Sequence, residues 1–305
     1  MDGLVIKSTG SWYDVKTSEG TIIACRVRGK LKIKNLQVTN PVAVGDFVQY
    51  ELEKSGQGII HTILPKRNYL IRRSTRKSTF GHIMASNIDL AVVIATISYP
   101  RTSLGFIDRF LVAAESFRIP SLLVFNKTDM WGEEEINYVR ELEKIYTSVQ
   151  VDFLTISAKT GVNLEKLKIK LSGKTSLIAG HSGVGKSTIL NLLSSKINQK
   201  TAEVSSFANK GTHTTTFAEM FEIGKDTYVI DTPGIKELGL MDIFDEEISH
   251  FFPELRELFG KCKFYNCTHT HEPGCAVVDA VKNGQIFLSR YQSYLSLMEG
   301  IDSHR

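Results

Sequence analysis

Gly180-His181-Ser182-Gly183-Val184-Gly185-Lys186-Ser187 has the spacing G-x-x-x-x-G-K-[ST], whose chemistry is phosphate binding. The glycines let backbone N–H groups curl around phosphate oxygens. Lys186 brings a point charge to the β- and γ-phosphates, and the Ser187 hydroxyl can ligate Mg²⁺. The motif follows the apolar strand 175–179 and opens a helical stretch at 186–193, as that chemistry requires. Asp231-Thr232-Pro233-Gly234 ends a second apolar strand, 228–230. An aspartate there can hold the hydration shell of Mg²⁺, and Gly234 can give its N–H to a γ-phosphate. A simple turn is the competing reading, because D-x-P-G is good turn chemistry.

Two further motifs read the base. Asn126-Lys127-Thr128-Asp129 ends the strand 121–125, and Ser157-Ala158-Lys159 ends the strand 151–156. Asp129 can accept hydrogen bonds from the guanine N1–H and 2-amine, a donor pair that adenine lacks. The backbone of Ser157-Ala158-Lys159 can donate to guanine O6. Both lie at carboxyl ends of buried strands, where open α/β sheets bind ligands. Gly211-Thr212-His213-Thr214-Thr215-Thr216 falls between the phosphate loop and Asp231, where a switch loop belongs. One of its threonines should reach Mg²⁺ and the γ-phosphate. Hydrolysis also needs a group to orient water, often a Gln just after D-x-x-G. Ile235 occupies that position, so His213 is the nearest candidate; an exposed loop histidine is the alternative.

A third constellation is Cys262-x₄-Cys267-x-His269-x₅-Cys275. Three thiolates and an imidazole at this spacing make a tetrahedral structural Zn²⁺ site with no open position for catalysis. His271 competes with His269 as the fourth ligand. Zinc would stabilise a module otherwise too small for much core.

These motifs must be carried by three regions. The chain has 305 residues, 42% hydrophobic and 23% charged, which excludes disordered and fibrous classes. No apolar run approaches the ~18 residues of a membrane span. Met1-Asp2-Gly3 begins no basic-then-apolar leader, so a cytoplasmic chain without a membrane partner is expected; it is also expected to be a monomer. Four cysteines are too few for a disulfide scaffold. The net charge of +4 is uneven: residues 1–77 hold 14 Lys/Arg and 6 Asp/Glu, a net of +8, against −4 for the remainder. A basic module suggests a polyanion partner, nucleic acid first; a solvated basic surface is the alternative.

Short β-rich runs at 4–6, 12–15, 21–27, 45–50 and 58–63, separated by turn residues, predict a small barrel over 1–68. Arg26, Arg28, Lys30, Lys32 and Lys34 could pair with aromatics for RNA binding, although Trp12 itself is expected in the barrel core. Residues 69–87, polar and basic, read as a linker into the next domain. From 88 to 240, apolar strands alternate with helical periodicity at 104–117, 133–146, 163–171 and 186–193, predicting a doubly wound, mostly parallel sheet. The domain boundaries expected are therefore 1–68, 69–240 and 241–305. The last region should open with one amphipathic helix over 245–259 and close with helical stretches at 276–281 and 285–298.

The motif order is permuted. An ordinary GTPase runs phosphate loop, switch threonine, D-x-x-G, N-K-x-D, S-A-K; here the last two come first. Only positions at strand ends meet the ligand, so a circular permutation can leave the site intact. It also tethers the Asp231–Gly234 loop directly to the cysteine-rich region.

Taken together, the basic barrel, the permuted motifs and C-x₄-C-x-H-x₅-C resemble the ribosome small-subunit-dependent GTPase A family of bacterial circularly permuted GTPases, over essentially the whole chain. The resemblance implies an OB-fold, a P-loop GTPase domain and an α-helical zinc-binding domain. It also implies GTP hydrolysis to GDP stimulated by the small ribosomal subunit, rRNA binding, and late subunit maturation. It extends the phosphate loop to Thr188, makes His213 the catalytic residue and Thr215 the Mg²⁺-linked switch residue. Thr212 departs from the arginine common before that histidine. Two rivals remain: an RNA-binding assembly factor using GTP only as a conformational gate, and a nucleoside kinase, which leaves Asn126–Asp129 unexplained.

Overall fold

The computed structural model describes residues 1–29, 38, 40–73, 81–194, 218–231 and 245–300. His213, Thr215 and Gly234 lie outside the described residues, as do Lys30, Lys32 and Lys34.

Five strands form the N-terminal barrel: β1 (Asp2–Ser8), β2 (Tyr13–Thr17), β3 (Ile22–Val27), β4 (Phe47–Leu52) and β5 (Gly58–Ile63). Their order is β1-β2-β3-β5-β4, and β4 pairs back onto β1 to close the barrel. All pairings are antiparallel except β3 with β5. Alternate residues face inward, so Val5, Tyr13, Val15, Cys25, Val48, Tyr50 and Ile60 make the core. Gly58 keeps this core closed: a Cβ there would lie 2.4 Å from Cys25 Sγ. The expectation for Trp12 is corrected. It stands 39% exposed at the β1–β2 turn, and Tyr13, one residue on, takes the inward position.

The expected linker at 69–87 is also corrected. Strands β6 (Tyr69–Arg73) and β7 (Gly81–Ser86) pair as an antiparallel two-stranded sheet. Leu70, Ile71, Ile83, Met84 and Ala85 are buried, and burial of that apolar surface outweighs the polar composition around it.

The central domain comprises β8 (Leu90–Ala95), α1 (Leu104–Ser116), β9 (Ser121–Phe125), α2 (Glu133–Ser148), β10 (Asp152–Thr155), α3 (Leu164–Leu171), β11 (Thr175–Ala179), α4 (Lys186–Leu193), β12 (Glu219–Gly224) and β13 (Thr227–Asp231). The sheet order is β10-β9-β8-β11-β13-β12, parallel except for β12. α1 and α2 cover one face around Phe110, Leu142 and Tyr146, and α3 and α4 the other around Leu167, Leu171 and Ile189. Strands β9 and β10 are added on one side of β8, and β11 and β13 on the other; such a switch in strand order is where doubly wound sheets bind ligands. The barrel continues this sheet: β1 meets β12 at Lys7 and Glu219.

In the C-terminal region the single helix expected over 245–259 is broken. A 3₁₀ segment spans Asp245–Phe251, and α5 covers only Pro253–Arg256. Pro253 is the reason, since it pushes the residue before it into extended backbone, and Phe252 has φ −105 and ψ 103. α6 (Ala276–Lys282) and α7 (Leu288–Met298) follow. Their core of Ile248, Phe252, Leu255, Val277 and Tyr294 includes Val112 of α1, so this module packs on the central domain. No helix among the described residues is long and apolar enough to cross a membrane.

Candidate functional site

The phosphate loop turns out of β11 under two steric constraints. Gly180 has φ +148, and a Cβ there would lie 2.4 Å from Ile94 O on β8. Gly185 has φ +97, and its Cβ would lie 2.4 Å from Asn126 Nδ2. Only glycine satisfies both the backbone and the space. Lys186 begins α4 and its ammonium donates to Gly180 O at 2.6 Å and His181 O at 3.1 Å. The Lys186 charge is thereby held over the loop. His181 lies against Phe106 of α1, ring centroids 4.0 Å apart. Ser182, Gly183 and Thr188 are exposed, and Val184 is buried.

Asn126 joins three motifs that are far apart in the chain. It is 2% exposed. Its backbone N–H donates to Ala95 O at 2.9 Å. Its Nδ2 donates to Val184 O of the phosphate loop at 2.8 Å, and its Oδ1 accepts from Ala158 N at 3.0 Å. Of the Ser157–Lys159 backbone expected to donate to guanine O6, the Ala158 N–H is therefore engaged by Asn126 in this structure. Asp129 Oδ1 accepts from Ser157 Oγ at 2.6 Å, and Lys159 Nζ stands 3.9 Å from Asp129 Oδ2. Thr128 N donates to Ile156 O at 3.2 Å. Lys127 sits at φ 70 and donates to Tyr99 O at 2.5 Å. Burial lowers the Lys127 pKa, against the opposing pull of Asp129. Asp231 ends β13, in register with Ile178 of β11. It thus comes to the sheet edge from which the phosphate loop leaves.

The structure so brings the phosphate loop, Asn126–Asp129, Ser157–Lys159 and Asp231 to one carboxyl edge. Ser187 in the first turn of α4 and Asp231 at the end of β13 offer oxygen donors, the donor type Mg²⁺ takes. The sequence reading did not find the lip made by Tyr99 and Pro100. Pro100 Cδ would stand 3.3 Å from a Cβ on Gly183. No motif marks these two residues; only the fold places them.

The Cys262, Cys267, His269 and Cys275 ligand atoms all lie within 4.8 Å of one another. His269 Nδ1 is 3.5 Å from both Cys262 Sγ and Cys275 Sγ. A tetrahedron with Zn–S near 2.3 Å has edges of ~3.8 Å, so the donor set fits Zn²⁺. His269, not His271, belongs to the cluster: His271 is exposed, its Nδ1 2.8 Å from Thr270 Oγ1. Burial lowers the His269 pKa, favouring the neutral imidazole that a metal binds. Burial raises the Cys267 thiol to about 12 and also raises Cys275, so these thiols stay protonated unless a cation is bound. Glu272 braces the loop by accepting from Thr268 N at 2.6 Å, Thr268 Oγ1 at 2.5 Å and Thr270 N at 3.1 Å. Its own burial works against the charged form, and those hydrogen bonds override it and hold the pKa low. Tyr291 and Tyr294 of α7 donate to His269 O at 2.8 Å and Thr268 O at 2.5 Å.

This module is joined to α1 through a buried charge cluster. Arg290 of α7, 2% exposed, donates to Asp108 Oδ1 at 2.5 Å and Glu254 Oε1 at 2.7 Å. Its guanidinium lies 4.7 Å from the Phe252 ring centroid.

Comparison with known proteins bears on these sites together. The model of the RsgA GTPase family matches residues 63–241, and that of the RsgA N-terminal domain matches residues 2–60. The chain is 49% identical over 299 residues to small ribosomal subunit biogenesis GTPase RsgA 2 of Bacteroides thetaiotaomicron, covering 98% of this chain and 96% of that one. It is 47% identical to small ribosomal subunit biogenesis GTPase RsgA of Azobacteroides pseudotrichonymphae, over 100% of this chain and 98% of the relative. Among solved structures it is similar to YjeQ from Thermotoga maritima, with a TM-score of 0.76, 36% identity and coverage of 100% and 99%. It is also similar to YloQ, described as a circularly permuted GTPase, with a TM-score of 0.73, 28% identity and coverage of 100% and 96%.

Proposed function

This chain belongs to the RsgA GTPase family and is a GTP hydrolase; we propose that it turns over GTP in late maturation of the small ribosomal subunit, that the subunit accelerates the reaction, and that the barrel binds rRNA. The observation that carries the site assignment is Asn126, which ties the base-reading segments to the phosphate loop. A guanine seated there would meet the Asp129 carboxylate, with Ser157 orienting it from the far side.

Residues 180–188 would surround the phosphates, their N–H groups donating and Lys186 leaving the loop carbonyls to meet the β- and γ-oxygens. Ser187 and Thr215 would hold Mg²⁺ directly, and Asp231 through its water shell. The ion's chemistry is to neutralise charge developing on the phosphates. Gly234 would donate to the γ-phosphate, and His213 would orient the attacking water. Cys262, Cys267, His269 and Cys275 would hold one Zn²⁺, whose contribution is structural. The chain is proposed to work as a cytoplasmic monomer.

The decisive measurement is GTP hydrolysis with and without purified small subunits. A rise of severalfold or more supports the proposal, and an unchanged rate removes the ribosomal link. His213→Ala should lose the stimulated turnover while still binding subunits. If it turns over normally, the water-orienting role belongs elsewhere, and if it binds but cannot leave, hydrolysis serves release rather than acting as an incidental gate.

A further inference from the structure

The loop that joins β8 to α1 belongs to none of the motifs, yet it touches two of them. It is closed at its base: Thr102 N donates to Thr96 O at 2.9 Å, and Thr96 N donates to Thr102 Oγ1 at 3.1 Å. Both threonines are buried, and the Thr96 hydroxyl donates to Pro100 O. Ser103 then caps α1 by accepting from Phe106 N at 3.3 Å. With both ends fixed, the tip Tyr99-Pro100 is held out at the nucleotide edge. There Tyr99 O accepts from Lys127 Nζ at 2.5 Å. Pro100 Cδ stands 3.3 Å from where a Cβ on Gly183 would lie. Tyr99 has φ +51 and Lys127 φ +70. A non-glycine residue keeps such a conformation only where its surroundings over-determine it, as they do at ligand sites.

From this we infer that residues 96–102 form a third wall of the nucleotide site, and that Thr102 is a positioning residue that sets nucleotide affinity through the lip and Lys127. The inference rests on the reading of this edge as a guanine-nucleotide site, and it adds a residue outside every motif. Three observations carry it. First, Lys127 lies between Asn126 and Asp129, so anchoring its ammonium to the lip anchors the base-reading segment as well. Second, the anchor is a backbone carbonyl. The Tyr99 ring is 75% exposed, so the main-chain shape of the loop is what matters, and the paired threonines hold that shape. Third, the lip links the same two segments that Asn126 links. Asn126 Nδ2 reaches Val184 O in the buried floor, while the lip reaches Lys127 and Gly183 at the exposed rim. Phe106 of α1, which continues the loop, adds a contact to His181 of the phosphate loop. A nucleotide must span both segments. Fixing their spacing beforehand lowers the ordering cost of binding.

The test uses the full-length protein with Mg²⁺, GDP titrations by calorimetry and steady-state GTP hydrolysis. Thr102→Val removes the hydrogen-bond acceptor and keeps the side-chain shape. It should weaken GDP binding about tenfold, and Thr102→Ser should stay near the parent. The KM for GTP should rise by a similar factor with a far smaller change in kcat, because His213 and Gly234, proposed to serve the γ-phosphate and its attacking water, lie on other segments. Pro100→Gly, at an exposed position, gives the same reading should Thr102→Val fail to fold. In a Lys127→Met background the Thr102 substitution should cost about twofold or less. Unchanged GDP affinity in Thr102→Val, or in Pro100→Gly where that variant takes its place, overturns the inference. So does an equal loss in Thr102→Ser, which would credit side-chain shape rather than the hydroxyl. A further loss of about tenfold in the Lys127→Met background also overturns it, since the threonine would then act independently of Lys127. A parent that binds no guanine nucleotide, or binds adenine nucleotides equally well, sinks the reading of the site itself. That pattern differs from a guanine-specific parent that is indifferent to the lip.

Discussion

The nucleotide site and the metal module solve the same problem, placing polar groups accurately, by opposite means. In the first, residues from distant parts of the chain are set by sheet register: Asn126 and Val184 are 58 apart and 2.8 Å in contact. In the second, four candidate ligands come from one short loop and a metal ion bound between them would do the positioning. The sheet-built site draws on a large buried core on both faces. The metal module has a smaller one, shared with α1 through Val112. The difference teaches that the two regions should fail independently, and in different ways.

Metal removal should show this most strongly. Structural Zn²⁺ contributes about 10–16 kcal/mol in zinc-finger peptides. Cys275→Ser, or chelation of the parent, should therefore abolish metal binding and expose the amides of α6 and α7 to hydrogen exchange, while the central sheet stays protected and still binds GTP. If α6 and α7 keep their protection without metal, the Phe252–Tyr294 core suffices and the contrast between the regions is wrong.

The next largest effect tests the joint between them. Arg290 pairs with Asp108 and Glu254 in a region almost closed to solvent. Burial pushes the Asp108 carboxyl up, with Arg290 opposing that. Removing one partner of such a cluster leaves uncompensated charge and costs about 3–5 kcal/mol. Arg290→Met should lower the urea midpoint accordingly, and adding Asp108→Leu should restore part of the loss. Additive losses in the double variant would mean the two side chains act separately.

How much of each region the sequence disclosed follows from the same contrast. The zinc ligands were legible because their spacing is local; the sequence already favours His269 over His271, and the loop's fold bears that choice out. The nucleotide motifs were legible because each sits at the end of an apolar strand, and β9, β11 and α4 fall where their sequence places them. Contacts between motifs were not legible. Nothing in the residues around Asn126 announces that its amide will reach Val184, or that Pro100 will face Gly183. Composition misled at 69–87, where Ile71 and Ile83 pair across two strands that polar neighbours conceal. Periodicity misled at 245–259, because an amphipathic pattern continues through Pro253 although the backbone cannot.

Smaller effects sharpen the sheet-built side. Gly185→Ala forces a Cβ to within 2.4 Å of Asn126 Nδ2 at φ +97. Strain of this kind costs about 1–3 kcal/mol, so GTP binding should weaken between about tenfold and a hundredfold, with zinc content unchanged. Asp129→Asn should weaken guanine binding and favour xanthine nucleotides, whose C2 carries a carbonyl. Equal loss for both bases would mean that Asp129 only orders Ser157.

The smallest effect lies where the barrel joins the sheet. Lys7 Nζ is 3.1 Å from Glu219 and Lys16 Nζ 2.7 Å from Glu222, both acids on β12. Neither region's device, metal nor long register, operates there, since β1 meets β12 at a single residue pair. Exposed pairs contribute about 0.2–1 kcal/mol each. Lys16→Gln should therefore shift the unfolding midpoint only slightly. The hydrogen bond to Glu222 raises the Lys16 pKa, so the pair's contribution is complete at neutral pH and disappears only in alkali. The parent and Lys16→Gln should thus differ at pH 7 and converge once the lysine is deprotonated. A large midpoint loss at pH 7 would make this junction a third kind of anchor, one that neither a metal nor a buried sheet edge explains.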